Sequence, residues 1–194
     1  MNLGEAFYTE DDLKNHGFKK LGKNVRIKKN VGIFFTENVS IDDNVRIDDF
    51  TIIVAGLPGC KIGSHVHIAS HCYLAGSAGI VLEDFSGLSP GVMIFSGSDD
   101  YSGEKLTNPT VPRKYIGGKS GTVILERHVI IGAGSIILPG CVLGVGASVG
   151  AMSLVTKSLE PWGIYAGVPA RRIRERKKNL LVLEEKLLRE ERNE

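Results

Sequence analysis

Taking every sixth residue from Leu125 gives Leu125, Ile131, Ile137, Leu143, Val149 and Val155, an unbroken aliphatic series. A helix repeats near 3.6 residues per turn, so such a series would wind around it and define no apolar face. The positions four further on, Val129, Ser135, Cys141, Ala147 and Ser153, are mostly small, and Gly132, Gly144 and Gly150 each directly follow a register position. This period predicts a parallel β-helix, in which each six-residue unit supplies one short strand and a turn and the stacked coils bury a common core. It also gives a use to the 24 glycines, because a chain of 194 residues that is 42% hydrophobic is no flexible low-complexity polymer.

Upstream the register returns with interruptions: Leu21, Ile27, Ile33; Ile41, Ile47, Ile53; Ile62, Ile68, Leu74, Ile80; then Leu88 and Ile94. Each slip predicts a loop or bulge between runs of coils. The longest break, 97–121, holds Pro109, Pro112 and five glycines with no apolar period, and a loop of that length in a compact domain points to function. Three segments are expected: a capping segment at 1–20, the β-helix at 21–170 with the inserted loop 97–121, and a C-terminal helix at 171–194. Thr9 followed by Asp12, with Gly17 beyond Leu13, predicts a short capped helix over the first coil. At the other end Leu180, Leu183 and Leu187 repeat at helical spacing after a basic run in which Arg176, Lys177 and Lys178 are expected on a solvated face.

With 24 Lys and Arg against 22 Asp and Glu the net charge is +2, which gives no global field suited to nucleic acid or to an anionic membrane. The stretch from Val129 to Thr156 has no charged residue and carries glycine pairs of the membrane-dimer type, yet its six-residue period argues against a membrane helix and hence against membrane insertion. Cys60, Cys72 and Cys141 are odd in number and lack paired short spacing, so they read as small apolar residues in a reducing compartment. The acidic first dozen residues have no basic, apolar leader, and a cytoplasmic location is expected.

The ordered segments Ile131-Gly132-Ala133-Gly134, Leu138-Pro139-Gly140, Val149-Gly150-Ala151, Val155-Thr156-Lys157 and Ala166-Gly167-Val168-Pro169-Ala170 resemble the hexapeptide-repeat acyltransferases. That resemblance implies an all-β, left-handed parallel β-helix with terminal helices, assembled as a homotrimer with active sites between subunits. Val45-Arg46-Ile47-Asp48-Asp49-Phe50, Asp99-Asp100 with Ser102-Gly103, and Val149-Gly150-Ala151-Met152-Ser153 are similar to the sugar-nucleotide N-acyltransferases of dTDP-anthrose biosynthesis. The implied acceptor is a dTDP-linked amino-dideoxy sugar. The implied donor is acyl-CoA, with acetyl as the expected group, and the implied setting is polysaccharide or glycan synthesis.

Hexapeptide O-acetyltransferases acting on galactosides carry a catalytic histidine just after the strand that here ends Ile94-Phe95-Ser96; this chain continues Gly97-Ser98-Asp99-Asp100. A sugar hydroxyl is a very weak acid and needs a base near neutrality, whereas an amine needs only to lose its ammonium proton. Asp99 is therefore the candidate base or ammonium anchor, on the strength of the family match. Without that match an Asp-Asp turn would be the simpler reading. Ser89, Asp100 and His71 are candidates for the acceptor pocket. For the donor, the resemblance assigns Ala133 and Ala151 to the pantetheine amides and Thr156, Lys157 and Arg174 to the nucleotide end, with Arg171 as a further phosphate partner.

His65, His67 and His71 invite a metal reading, since a carbonic anhydrase class shares the implied fold. Their spacing differs from that class, and residues six apart belong to different faces of a coil, so no metal site is expected. Two alternatives remain open: O-acetylation of a sugar hydroxyl, and a non-catalytic β-helix scaffold, from which coenzyme A binding would separate either enzyme.

Overall fold

The computed structural model describes residues 6–193. Successive short strands fall in turn on three parallel sheets. The first holds Lys20–Leu21, Val39–Ile41, Cys60–Ile62, Ile80–Leu82, Val123–Leu125 and Val142–Leu143. The second runs from Arg26–Ile27 through Arg46–Ile47, His67–Ile68, Gly87–Leu88, Ile130–Ile131 and Ser148–Val149 to Gly163–Ala166. The third holds Gly32–Phe34, Ile52–Ala55, Tyr73–Gly76, Met93–Phe95, Ile136–Ile137 and Leu154–Val155. Side chains alternate across a strand, so in each pair such as Arg46-Ile47 or Ile130-Ile131 the first residue is exposed and the register residue enters the core.

Parallel pairing sets like on like: Ile47 opposes Ile68, Leu88 opposes Ile131, and Ile137 opposes Val155. Small buried residues line the corners and return their hydroxyls to the backbone. Thr51 Oγ1 donates to the Ala69 carbonyl at 2.8 Å, and Ser135 and Ser153 both donate to the Gly150 carbonyl, at 3.0 and 2.7 Å. Burial pushes the Cys60 thiol up to about 12 and the Cys72 thiol up to about 11, so both stay protonated as packing residues.

One register assignment changes. Leu82, rather than Ile80, pairs with Ile62 and Leu125, so the slip falls before the strand, at the turn around Gly79. A three-residue strand turns both of its ends inward, and Ile80 is as buried as Leu82. With that correction every slip lies at the corner joining the third sheet to the first, and the other two corners keep strict six-residue spacing.

The inserted loop grows from this variable corner. It is not without structure, since Gly97–Asp99 pairs antiparallel with Gly118–Ser120 and forms a ribbon at its base. Gly118, at φ +146°, could not be otherwise, because a Cβ there would lie 1.9 Å from the Ser98 carbonyl oxygen.

At the N-terminal end Glu10–Lys14 forms one helical turn closed by a capping box between Thr9 and Asp12, and its Leu13 is buried against the first coils. At the other end the helix begins later than expected. Arg171–Glu175 is a strand antiparallel to Gly163–Ala166, and the helix spans only Leu180–Glu191. The reason is the open edge of the second sheet, which this basic strand covers and charges. Arg176, expected in solvent, is half-buried and donates to the carbonyls of His128 and Gly146 at 2.7 and 3.0 Å. The helix lies along the corner between the first and second sheets, where Glu184 takes a hydrogen bond from His128 Nε2 at 2.8 Å and pairs with Arg127. Among the described residues no helix is long and apolar enough to cross a membrane.

Ile68 is fully buried in a central coil, so Ile68→Ala should destabilise the protein by about 2–5 kcal/mol, read as a lowered denaturant midpoint at unchanged slope.

Candidate active site

Along the corner between the second and third sheets, equivalent turn residues stack from coil to coil. The N–H of His71 donates to Asp49, that of Gly91 to Ser70, that of Gly134 to Pro90 and that of Met152 to Ala133, at 2.8 to 3.1 Å. His71, Ser89, Ala133 and Ala151 therefore lie in order along one edge. The coils approach so closely that a Cβ on Gly132 would stand 2.4 Å from the Ala151 nitrogen. The N–H groups of Ala133 and Ala151 have no partner among the described residues, and Ala151 is exposed, so this edge offers unpaired donors beside small side chains.

The basic strand Arg171–Glu175 begins beside the same edge, since Arg171 opposes Ala166 and Ala166 packs against Gly150. Arg174 opposes Ile164, further along the strand. Thr156 and Lys157 follow Leu154–Val155 and sit at the variable corner, so within one chain the third sheet separates them from Ala133 and Ala151.

Asp99 also belongs to the variable corner. It stands exposed in the ribbon, where among the described residues its side chain accepts a single long bond, 3.4 Å from the Asn108 N–H to Oδ1. It lines an open cleft of about 710 Å3 with Ser77, Ser98, Arg113, Lys119 and Ser120. Asp100, expected near the acceptor, makes bonds within its own turn. Its Oδ1 accepts from the Ser102 N–H and hydroxyl at 3.0 and 2.7 Å, and its Oδ2 from the Lys105 N–H at 2.9 Å. These bonds hold its carboxyl down to about 2 and spend it on the turn, outside the cleft lining.

His65, His67 and His71 diverge: His65 stacks on Phe85 at 4.6 Å, His67 Nε2 bonds Asp48 at 2.8 Å, and His71 packs on Phe50 at 5.0 Å. Sequence reasoning overlooked Arg113 and Lys119. They sit in the aperiodic loop, and only the ribbon pairing of Lys119 with Ser98 places one of them beside Asp99.

No family model matches the chain. The chain is 42% identical over 179 residues to the dTDP-4-amino-4,6-dideoxy-D-glucose acyltransferase of Escherichia coli, covering 92% of this chain and 93% of the relative. The chain belongs to this acyltransferase family. Its fold also superposes on AntD, an N-acyltransferase from Bacillus cereus solved with dTDP and 3-hydroxybutyryl-CoA, at 44% identity with a TM-score of 0.93, covering 99% of this chain and 100% of that one. As in this family, the solenoid is a left-handed β-helix. A hexapeptide-repeat acetyltransferase of Vibrio cholerae, at 18% identity with a TM-score of 0.62 over 90% of this chain and 85% of that one, shares the fold alone. AntD has also been solved with a serine replaced and with an aspartate ten positions further on replaced. Ser89 and Asp99 of this acyltransferase are separated by the same ten positions.

Proposed function

We propose that this acyltransferase moves an acyl group from acyl-CoA to the amine of a dTDP-linked amino-dideoxy sugar. The observation that carries the reading is the nearly full-length likeness to relatives named for that chemistry, one of them solved with dTDP and an acyl-CoA. In the reaction the amine nitrogen attacks the thioester carbonyl, the C–N bond forms, and the C–S bond breaks. The nitrogen loses one proton and the departing thiolate gains one, so the products are an amide and free coenzyme A. Nothing in that balance requires the hydroxyl-activating histidine that this chain lacks. The acyl group on AntD's donor, 3-hydroxybutyryl, is longer than the acetyl expected from the sequence.

In this reading the thiol arm runs along the edge of Ala133 and Ala151, with Arg171 and Arg174 near its phosphates, and Ser89 and His71 face the acceptor further along. Asp99 attracts the ammonium form of the amine, and when the neutral amine attacks it takes the one proton the nitrogen loses, which the departing thiolate then gains. Ser89 and Asp99 lie beyond opposite ends of the strand Met93–Phe95, which supports a site shared between the edge of one copy and the ribbon of another. The third sheet suits that meeting. Its outward residues are apolar, with Phe34 54%, Ile52 39% and Met93 40% exposed, where the first sheet presents Lys20 and Lys61. A homotrimer built on this face would also bring Thr156 and Lys157 of one copy toward the donor edge of the next. Acyl-CoA as the donor supports the cytoplasmic location expected from the sequence.

The test of the function is a mass-spectrometric screen of acyl-CoAs against nucleotide-linked aminosugars and their hydroxyl analogues. Amide products are expected, and preferential esterification of the hydroxyl analogues would overturn the reading. Asp99→Asn keeps the shape and removes the charge. Because Asp99 is exposed, its attraction for an ammonium is worth about 1 kcal/mol, and proton transfer adds to that. A fall in kcat/KM of roughly 10- to 100-fold is expected, recovering in part at higher pH, where more of the amine is already unprotonated. Wild-type rates at every pH would remove Asp99 from the mechanism.

A further inference from the structure

The cleft beside Asp99 carries more positive charge than its one carboxylate requires. Arg113, at the start of the turn Arg113–Tyr115, and Lys119, on the ribbon strand Gly118–Ser120, both line it. Neither makes an ion pair or a side-chain hydrogen bond with another described residue. Of the loop's two other cations, Lys105 lies outside the lining, and so does Lys114, which is occupied 4.8 Å over the Tyr115 ring. Two unpaired cations, three serine hydroxyls and one carboxylate around about 710 Å3 form a site of the usual ligand size with a definite charge pattern. An amino sugar carried on a nucleoside diphosphate has the complementary pattern, an ammonium on the sugar and two negative charges on the diphosphate.

We propose that Arg113 and Lys119 hold the diphosphate of the acceptor, so that the inserted loop is the specificity element for a nucleotide-linked sugar over a free one. The inference rests on the function proposed above and adds the residues that read the nucleotide part. The guanidinium of Arg113 offers paired donors to phosphate oxygens and Lys119 a mobile point charge. Anchoring the diphosphate in the cleft that also holds Asp99 would aim the sugar amine at the carboxylate. The loop is the part of the chain freest to carry such a site, because it bears none of the register that the core demands.

The shared chemistry, a diphosphate, also occurs in coenzyme A, and the test separates the two. Calorimetric titration of wild type, Arg113→Ala, Lys119→Ala and the double variant with dTDP and, separately, with coenzyme A reads both sites. Each substitution should weaken dTDP on the order of 10-fold and the pair on the order of 100-fold, with coenzyme A affinity unchanged. The acceptor KM should rise in step while kcat holds within about threefold, the signature of lost ground-state binding. Lys114→Ala, which removes the same charge from outside the cleft, should leave both affinities alone. Undiminished dTDP binding in the double variant would overturn the assignment, as would a loss confined to coenzyme A or an equal loss in Lys114→Ala. A wild type that binds coenzyme A but neither binds dTDP nor acylates any dTDP sugar would instead overturn the proposed function itself.

Discussion

Ala151→Trp is expected to weaken coenzyme A binding by at least about 100-fold while the coil stays folded. Ala151 is exposed at the tip of a turn, so an indole there needs no room in the core, and exposed substitutions of this kind usually change stability by no more than about 0.5 kcal/mol. In the proposed groove the same indole stands where the thiol arm passes, one coil beyond Ala133 and beside the unpaired N–H groups of both alanines. The arm would lose both its path and those hydrogen bonds, each worth about 1 kcal/mol and more once water is excluded. Since all turnover needs the donor, kcat/KM should fall with the affinity. Calorimetry with coenzyme A reads the first effect, and circular dichroism with a thermal scan shows that the fold persists. Unchanged affinity in a folded variant would move the donor to another edge.

Met93→Asp should take the proposed homotrimer apart and silence the enzyme. Met93 points outward from the middle of the third sheet, 40% exposed in the single chain, between the edge that carries Ser89 and the ribbon that carries Asp99. If copies meet on this face, the new carboxylate is buried without a partner in each of them, at a cost of several kcal/mol per copy. Every 1.4 kcal/mol, roughly, is tenfold in association, so dissociation follows at ordinary protein concentrations. Activity should fall by about 100-fold or more, because the proposed site draws on two chains. Met93→Leu, with nearly the same volume and no charge, should keep both assembly and rate. Analytical ultracentrifugation of the three proteins beside their rates decides the matter. A monomeric wild type with full activity would dismiss the shared site, and a Met93→Asp protein that stayed assembled would dismiss this face as the interface.

The repeat and its core were open to view in the amino-acid order. Leu125 through Val155 give the period, and the same residues form the buried stack. That legibility is physical, since parallel pairing in identical register demands like residues at equal spacing. The candidates for the donor edge, Ala133 and Ala151, came from resemblance, and the structure sets them on adjacent turns of one corner, where it is Gly132 that has no room for a side chain. The loop could not be read in this way. Its ribbon depends on Gly97 to Asp99 finding Gly118 to Ser120 across a gap without periodicity. Ile80 was misassigned because either end of a short strand faces inward, and only the pairing with Cys60 decides which end continues the register.

The order of residues alone determined the β-helix, most of the places where its coils slip, and the candidates Ser89, Asp99, Ala133 and Ala151, because these follow from periodicity and from resemblance. Tertiary structure decided that Asp99 faces a cleft with Arg113 and Lys119 while Asp100 closes a turn, and that the basic segment after Ala170 first adds a strand. It also decided that Ser89 and Asp99 stand at different corners of one coil. The physical reason is that a solenoid's core is made of local, repeating contacts that a short stretch of sequence displays. A cleft at its variable corner is made of contacts between segments about twenty residues apart, whose pairing exists only once the chain has folded.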